Sequence, residues 1–234
     1  MRLALLNHWR LTDGDQVFDM PVRGQRLLAL LALRGRQNRA RLAGTLWPDA
    51  DEQRAQASLR ATVSAVGRHV PSLLDKDHGH IQLDEDRVLV DVDEFRRRAD
   101  ALLSGRPTQL PVSLDQPVLR GGELLPGWYD EWVLIERERI HQLRLHVLEA
   151  LAEKLVERGS YSHALQVAME AVATDPLRES ARRSVITVHL AEGNTVESVR
   201  EYERFRALLA AELGVEPTEH ITGMVRRITT RSSA

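Results

Sequence analysis

Residues 38–71, NRARLAGTLWPDADEQRAQASLRATVSAVGRHVP, read as two helices joined by a short turn, and that reading decides the fold. Asn38 stands where a side-chain oxygen caps a helix running from Arg39 to Trp47, which Pro48 stops. Asp49 and Glu52 then have capping-box spacing, and both carboxylates suit the positive end of a second helix. In that helix Leu59, Val63, Val66 and Val70 fall at i, i+4, i+7 and i+11, one apolar stripe, before Pro71 ends it. At about 100° per residue the opposite face carries Arg54, Ala57, Ala61, Ser64, Ala65 and Arg68, with Gln53 and Arg60 on its edges.

Working outward, GQRLLALLALRG (24–35) is apolar at most positions and predicts a short, deeply buried helix. Residues 2–6 and 16–20 read as strands around Thr12-Asp13-Gly14-Asp15, whose Asp-Gly is a hairpin signal. HIQLD (80–84) and RVLVDV (87–92) alternate apolar and polar residues around Glu85-Asp86 and read as a second hairpin. Hairpin, three helices, hairpin is the order of a winged helix-turn-helix, whose third helix enters a DNA major groove. Residues 1–92 are therefore expected to form an α+β winged-helix DNA-binding module.

The charge distribution fits a nucleic-acid partner. The whole chain carries a formal −2, but residues 20–74 hold nine arginines against three acids, a net +6, while residues 123–234 hold −4. On the exposed face of the third helix, small Ala and Ser let the backbone approach DNA and Arg reaches base edges. Arg54, Arg60, Ser64 and Arg68 are the expected groove contacts, and Arg39, Arg41 and Arg87 the expected phosphate contacts.

The rest of the chain reads as all-α. Residues 93–127 are expected to be a leading helix and a connector, since residues 104–127 are rich in Pro and Gly without sustained periodicity. Residues 128–234 are expected to form a tetratricopeptide-like helical-repeat domain. Ile140, Leu143, Val147, Leu151 and Leu155 line one face of a long helix. After it, Gly159, Tyr161, Ala164, Ala168, Ala171 and Pro176 follow the repeat pattern, and Gly193 stands 34 residues beyond Gly159. Trp128, Tyr129 and Trp132 are expected to pack the connector onto these repeats.

Several chemistries have no support. There is no cysteine, hence no disulfide and no thiolate nucleophile or metal site. The longest apolar run, Leu27–Leu33, is too short to span a membrane, and the first residues lack a secretory leader's apolar length; a cytoplasmic location is expected. No phosphate-binding loop, nucleophile elbow or zinc-protease motif occurs. His78-Gly-His80 has metal-like spacing without a third ligand nearby, so neither a cofactor nor an enzymatic activity is expected.

Taken together, QRLLALLALRGRQNRARLAGTLWPD (25–49), ASLRATVSAV (57–66) and VDVDEFRRRA (90–99) resemble the DNA-binding half of the Streptomyces antibiotic regulatory protein (SARP) family. GELLPGWYDEWVLIERERI (122–140), DPLRESARRSVITVHLAEGN (175–194) and ELGVEP (212–217) resemble the bacterial transcriptional activator domain (BTAD) that follows it. The resemblance implies a transcription activator that binds double-stranded promoter DNA, often as a homodimer, and recruits RNA polymerase. It also implies an Arg-Leu-Arg-Arg run where this chain has Ala65-Val66-Gly67-Arg68. The same two domains without DNA binding would make an interaction adaptor, and a ligand in the helical groove would make a small-molecule sensor.

Overall fold

Three helices stand between two small sheets in the computed structural model, which describes residues 1–77, 79–104 and 122–231. Strands β1 (Arg2–Ala4), β2 (Arg10–Asp13) and β3 (Gln16–Val17) lead into α1 (Val22–Arg34). Then come β4 (Gln37–Asn38), α2 (Arg39–Leu46) and α3 (Glu52–His69). They are followed by β5 (Leu74–Asp77), β6 (His80–Leu83), β7 (Leu89–Val90) and α4 (Asp91–Leu103). From Glu131 onward the described chain is mainly helical: α5 (Glu131–Glu157), α6 (Tyr161–Thr174), α7 (Glu179–Glu192), α8 (Thr195–Leu213) and α9 (Glu219–Arg231).

Local signals set the helix ends. The Asn38 side chain accepts from the Ala40 amide at 2.8 Å and opens α2. The cap of α3 is Asp51, not the expected Asp49: its carboxylate accepts from the Arg54 amide at 2.8 Å. The Ala50 amide still donates to the Trp47 carbonyl at 3.2 Å, so the chain is turning at Asp49 and the helix starts later. Leu59, Val63, Val66 and Val70 are all buried, as their spacing predicts. Gly24 sets how closely α1 meets α3, because a Cβ there would stand 3.2 Å from Val66 Cγ2 and 2.8 Å from Met20 Sδ.

The strands depart from expectation in two ways. The Asp-Gly hairpin joins β2 to β3, and β2, missed because Leu11 is its only buried residue, lies between β3 and β1. The second hairpin is β5–β6, turning at Gly79 with φ 90°, while β7 leaves it to pair in parallel with β1. Aspartates at 75 and 77 hide β5 from a hydrophobic pattern. Asp91 accounts for the departure of β7: its carboxylate accepts from the amides of Leu5 and Leu6 at 3.0 Å, anchoring the strand's end beside β1.

The compact units are not simple linear segments. The first joins Met1–Arg98 to Gly121–Ile140, and the second joins Ala99–Arg120 to His141–Ala234. Residues 105–121, most of the expected connector, lie outside the described residues. The segment from Gly122 onward is tied into the first unit. The Asn7 amide donates to the Glu123 carbonyl and the Leu125 amide to the Leu5 carbonyl, each at 2.9 Å. Arg137 donates to the carbonyls of Leu124, Leu125 and Trp128 at 3.0, 2.7 and 3.0 Å. Glu136, only 1% exposed, pairs with Arg34 at 3.0 Å and Arg139 at 2.9 Å, with Arg96 at 3.7 Å. Trp132 is buried here, but Tyr129 is 80% exposed and so packs nothing. These aromatics belong to the first unit, not to the helical repeats as expected.

In the second unit α6 packs on α7, α7 on α8 and α8 on α9. Ala164, Ala168 and Ala171 are fully buried, the small residues that let helices approach. Ser198 and Phe205 are buried at the positions 34 residues further on. Arg182 pairs with the buried Glu201 at 2.5 Å and lies 5.7 Å from the Phe205 ring centroid.

Candidate nucleic-acid interface

Burial of the Leu59–Val63–Val66 stripe turns the other side of α3 outward. Arg54, Arg60, Ser64 and Arg68 are all exposed on it, between the exposed methyl groups of Ala57 and Ala61. They are not equally available. Arg54 pairs with Asp51 at 3.2 Å, and Arg68 donates to Ser64 Oγ at 3.1 Å. Arg60 has no ion pair among the described residues. An unpaired guanidinium beside small side chains has donors to spare for a base edge or a phosphate.

The expected phosphate contacts separate in the same way. Arg41 is exposed and Arg39 half-buried at the start of α2, both without an ion pair among the described residues. The Arg39 amide donates to the Gly79 carbonyl at 2.9 Å, which fixes α2 against the β5–β6 turn. Arg87 lies outside that hairpin and pairs with Asp84 at 3.1 Å. The sequence reasoning missed Arg10, Arg23 and Lys76, which are exposed and without an ion pair among the described residues. Arg10 and Lys76 sit on β2 and β5, the two strands that the sequence pattern conceals.

Other sites are sparse. Among the described residues no group of three or more His, Asp or Glu side chains could hold a metal, and His78 lies outside them. No described helix is long and apolar enough to cross a membrane. The second unit has a cavity of about 360 Å³ between α5 and α7, lined by His146, Glu149, Glu153, Ser180, Arg183 and Thr187 among others. Glu149 is already held by Arg178 at 2.7 Å and Ser180 at 2.6 Å.

A small α+β unit with an arginine-bearing helix is thus joined in one chain to a unit of stacked helices. Residues 90–229 match the bacterial transcriptional activator domain, and the chain belongs to that family. The SARP resemblance is thereby borne out. The chain is 28% identical over 239 residues to Regulatory protein AfsR of Streptomyces coelicolor and 25% identical over 238 residues to that of Streptomyces griseus. Each alignment covers 97% of this chain but only 24% of the relative, so the chain spans about a quarter of their length. Among solved structures, Mycobacterium tuberculosis EmbR in complex with a low affinity phosphopeptide has the same fold. The TM-score is 0.78 at 18% identity, over 98% of this chain and 65% of that one.

Proposed function

We propose that the chain is a DNA-binding transcription activator. In this reading residues 1–92 are a winged helix-turn-helix that contacts promoter DNA, with α3 in the major groove. The helical second unit, from His141 onward, is a tetratricopeptide-like repeat domain that contacts RNA polymerase or another protein, and two copies bind together on paired half-sites. The observation that carries it is the outer face of α3, where Arg60 and Arg68 stand exposed without ion pairs among the described residues and among small side chains. Two such arginines supply about 1–3 kcal/mol of discrimination each, less than the roughly 4–10 kcal/mol that promoter selection needs. A second reading head or a protein partner makes up the difference, which is why the proposal includes dimerisation.

The test is binding of the full chain to duplex DNA over a salt series. With about four to six phosphates neutralised per subunit, log affinity should fall with log salt at a slope of about −4 to −5. Arg68→Ala should flatten preference among sequences, and Arg39→Ala should weaken all duplexes alike. A slope near zero would sink the proposal, and exchanged behaviour of the two variants would mean that the reading face is misplaced. One observation favours a second reading, a small-molecule sensor: the cavity between α5 and α7 reaches the lower end of ligand-site volumes.

A further inference from the structure

We infer that Lys76 is a phosphate-contacting residue that extends the arginine row of α3 over the bare position at Gly67; this rests on the reading of α3 as the DNA-contacting helix. Gly67 follows Arg60 by seven residues, two turns along the same side of the helix and about 10 Å further on. It has no side chain to offer. The Lys76 Nζ fills that place from another element, lying 3.9 Å from where a Cβ on Gly67 would stand, with no other heavy atom within 4 Å outside the helix's own backbone.

The hairpin explains how the ammonium gets there. Side chains alternate along β5, so Leu74 and Lys76 share one face while Asp75 and Asp77 take the other. Lys76 stands opposite the fully buried Ile81 of β6, and its stem lies on the hairpin's inner side where apolar residues would otherwise sit. The flanking acids are engaged elsewhere: Asp77 pairs with Arg36 at 3.0 Å and Asp75 accepts from Gln82 at 3.0 Å. Lys76 itself is exposed and makes no ion pair or hydrogen bond among the described residues. A compact ammonium with three donors suits a phosphate better than a base edge. Its other physical role would be to oppose the negative end of the α3 dipole, and the two roles separate by experiment.

The full chain and its Lys76→Met and Lys76→Met/Gly67→Lys variants are titrated with a mixed-sequence duplex of about 30 bp in about 50–200 mM KCl, with thermal melts alongside. Lys76→Met keeps the stem and removes the charge. It should make the salt slope shallower by about 0.9 and weaken binding about five- to tenfold near 0.1 M salt, at unchanged melting temperature. The double variant should regain the lost slope. If wild type binds steeply and Lys76→Met binds identically, Lys76 is no contact while the reading of α3 survives. A lower melting temperature with intact binding assigns Lys76 to the helix dipole and also overturns the inference. A double variant no better than Lys76→Met overturns the shared position. If wild type shows no salt-dependent binding, the reading of α3 falls and the inference with it.

Discussion

Asp91 concentrates the physics of the first unit in one carboxylate. It opens α4, accepts from the amides of Leu5, Leu6 and Val92, and so joins positions 86 residues apart. Burial raises its carboxyl above the ordinary 3.8, and the three amide bonds that pull it down do not cancel the effect. The folded chain therefore keeps this proton to higher pH than the unfolded chain does. The resulting contribution to stability is fully present below 3.8, is lost as pH rises through the folded-state value, and levels off above it. Asp91→Asn lacks the titration. Denaturant midpoints measured from neutral to acid pH should shift in favour of wild type over this variant as pH falls. A shift in favour of the variant would mean that the amides, not burial, dominate the site.

Among the elements, α3 carries a local conflict. Its apolar stripe and Asp51 cap favour a helix over Glu52–His69, yet Gly67 interrupts it two residues before the end. Glycine costs a helix roughly 1 kcal/mol relative to alanine. Nothing in the structure requires it: φ is not positive there, and an added Cβ would meet only Lys76 Nζ at an ordinary 3.9 Å. Gly67→Ala is expected to stabilise the first unit by roughly 0.5–1 kcal/mol, read as a higher thermal midpoint. It adds no charge, so the salt slope of DNA binding should stay the same. A fall in the midpoint would show that α3 needs glycine's backbone freedom.

For the whole molecule, the unexpected feature is where the start of α5 and the segment before it belong. Trp132 and Glu136 are buried within the first unit, and Glu136 gathers arginines from α1, α4 and α5. Removing a buried partner from such a group costs about 3 kcal/mol, because the remaining charges lose their counter-ion. Glu136→Ala in the full chain should lower the urea midpoint and speed amide exchange in α1. Exchange in α7 and α8 should be unaffected. Faster exchange confined to α6–α9 would instead assign the segment to the second unit.

The sequence by itself determined the elements whose signals are local. The stripe Leu59–Val63–Val66–Val70 specified the buried side of α3 and thereby exposed Arg60, Ser64 and Arg68; Asn38 specified the start of α2. The alanines at 164, 168 and 171 marked a close helix crossing. Each of these follows from spacings of a few residues, which helical geometry converts directly into a face. Only the tertiary structure decided which strands pair and which segments share a unit. Residues 89–90 carry the same apolar pattern whether they return to β6 or join β1, and the choice lies with Asp91 and two distant amides. Residues 122–140 have the Trp and Tyr content of a packing segment, but their partners Leu5, Arg26 and Arg34 are more than 90 positions away. The approach of Lys76 to Gly67 likewise depends on a hairpin whose aspartates hide it from any hydrophobic pattern. Periodicity is a property of neighbours along the chain, whereas pairing is settled by which distant polar groups satisfy each other when the core closes.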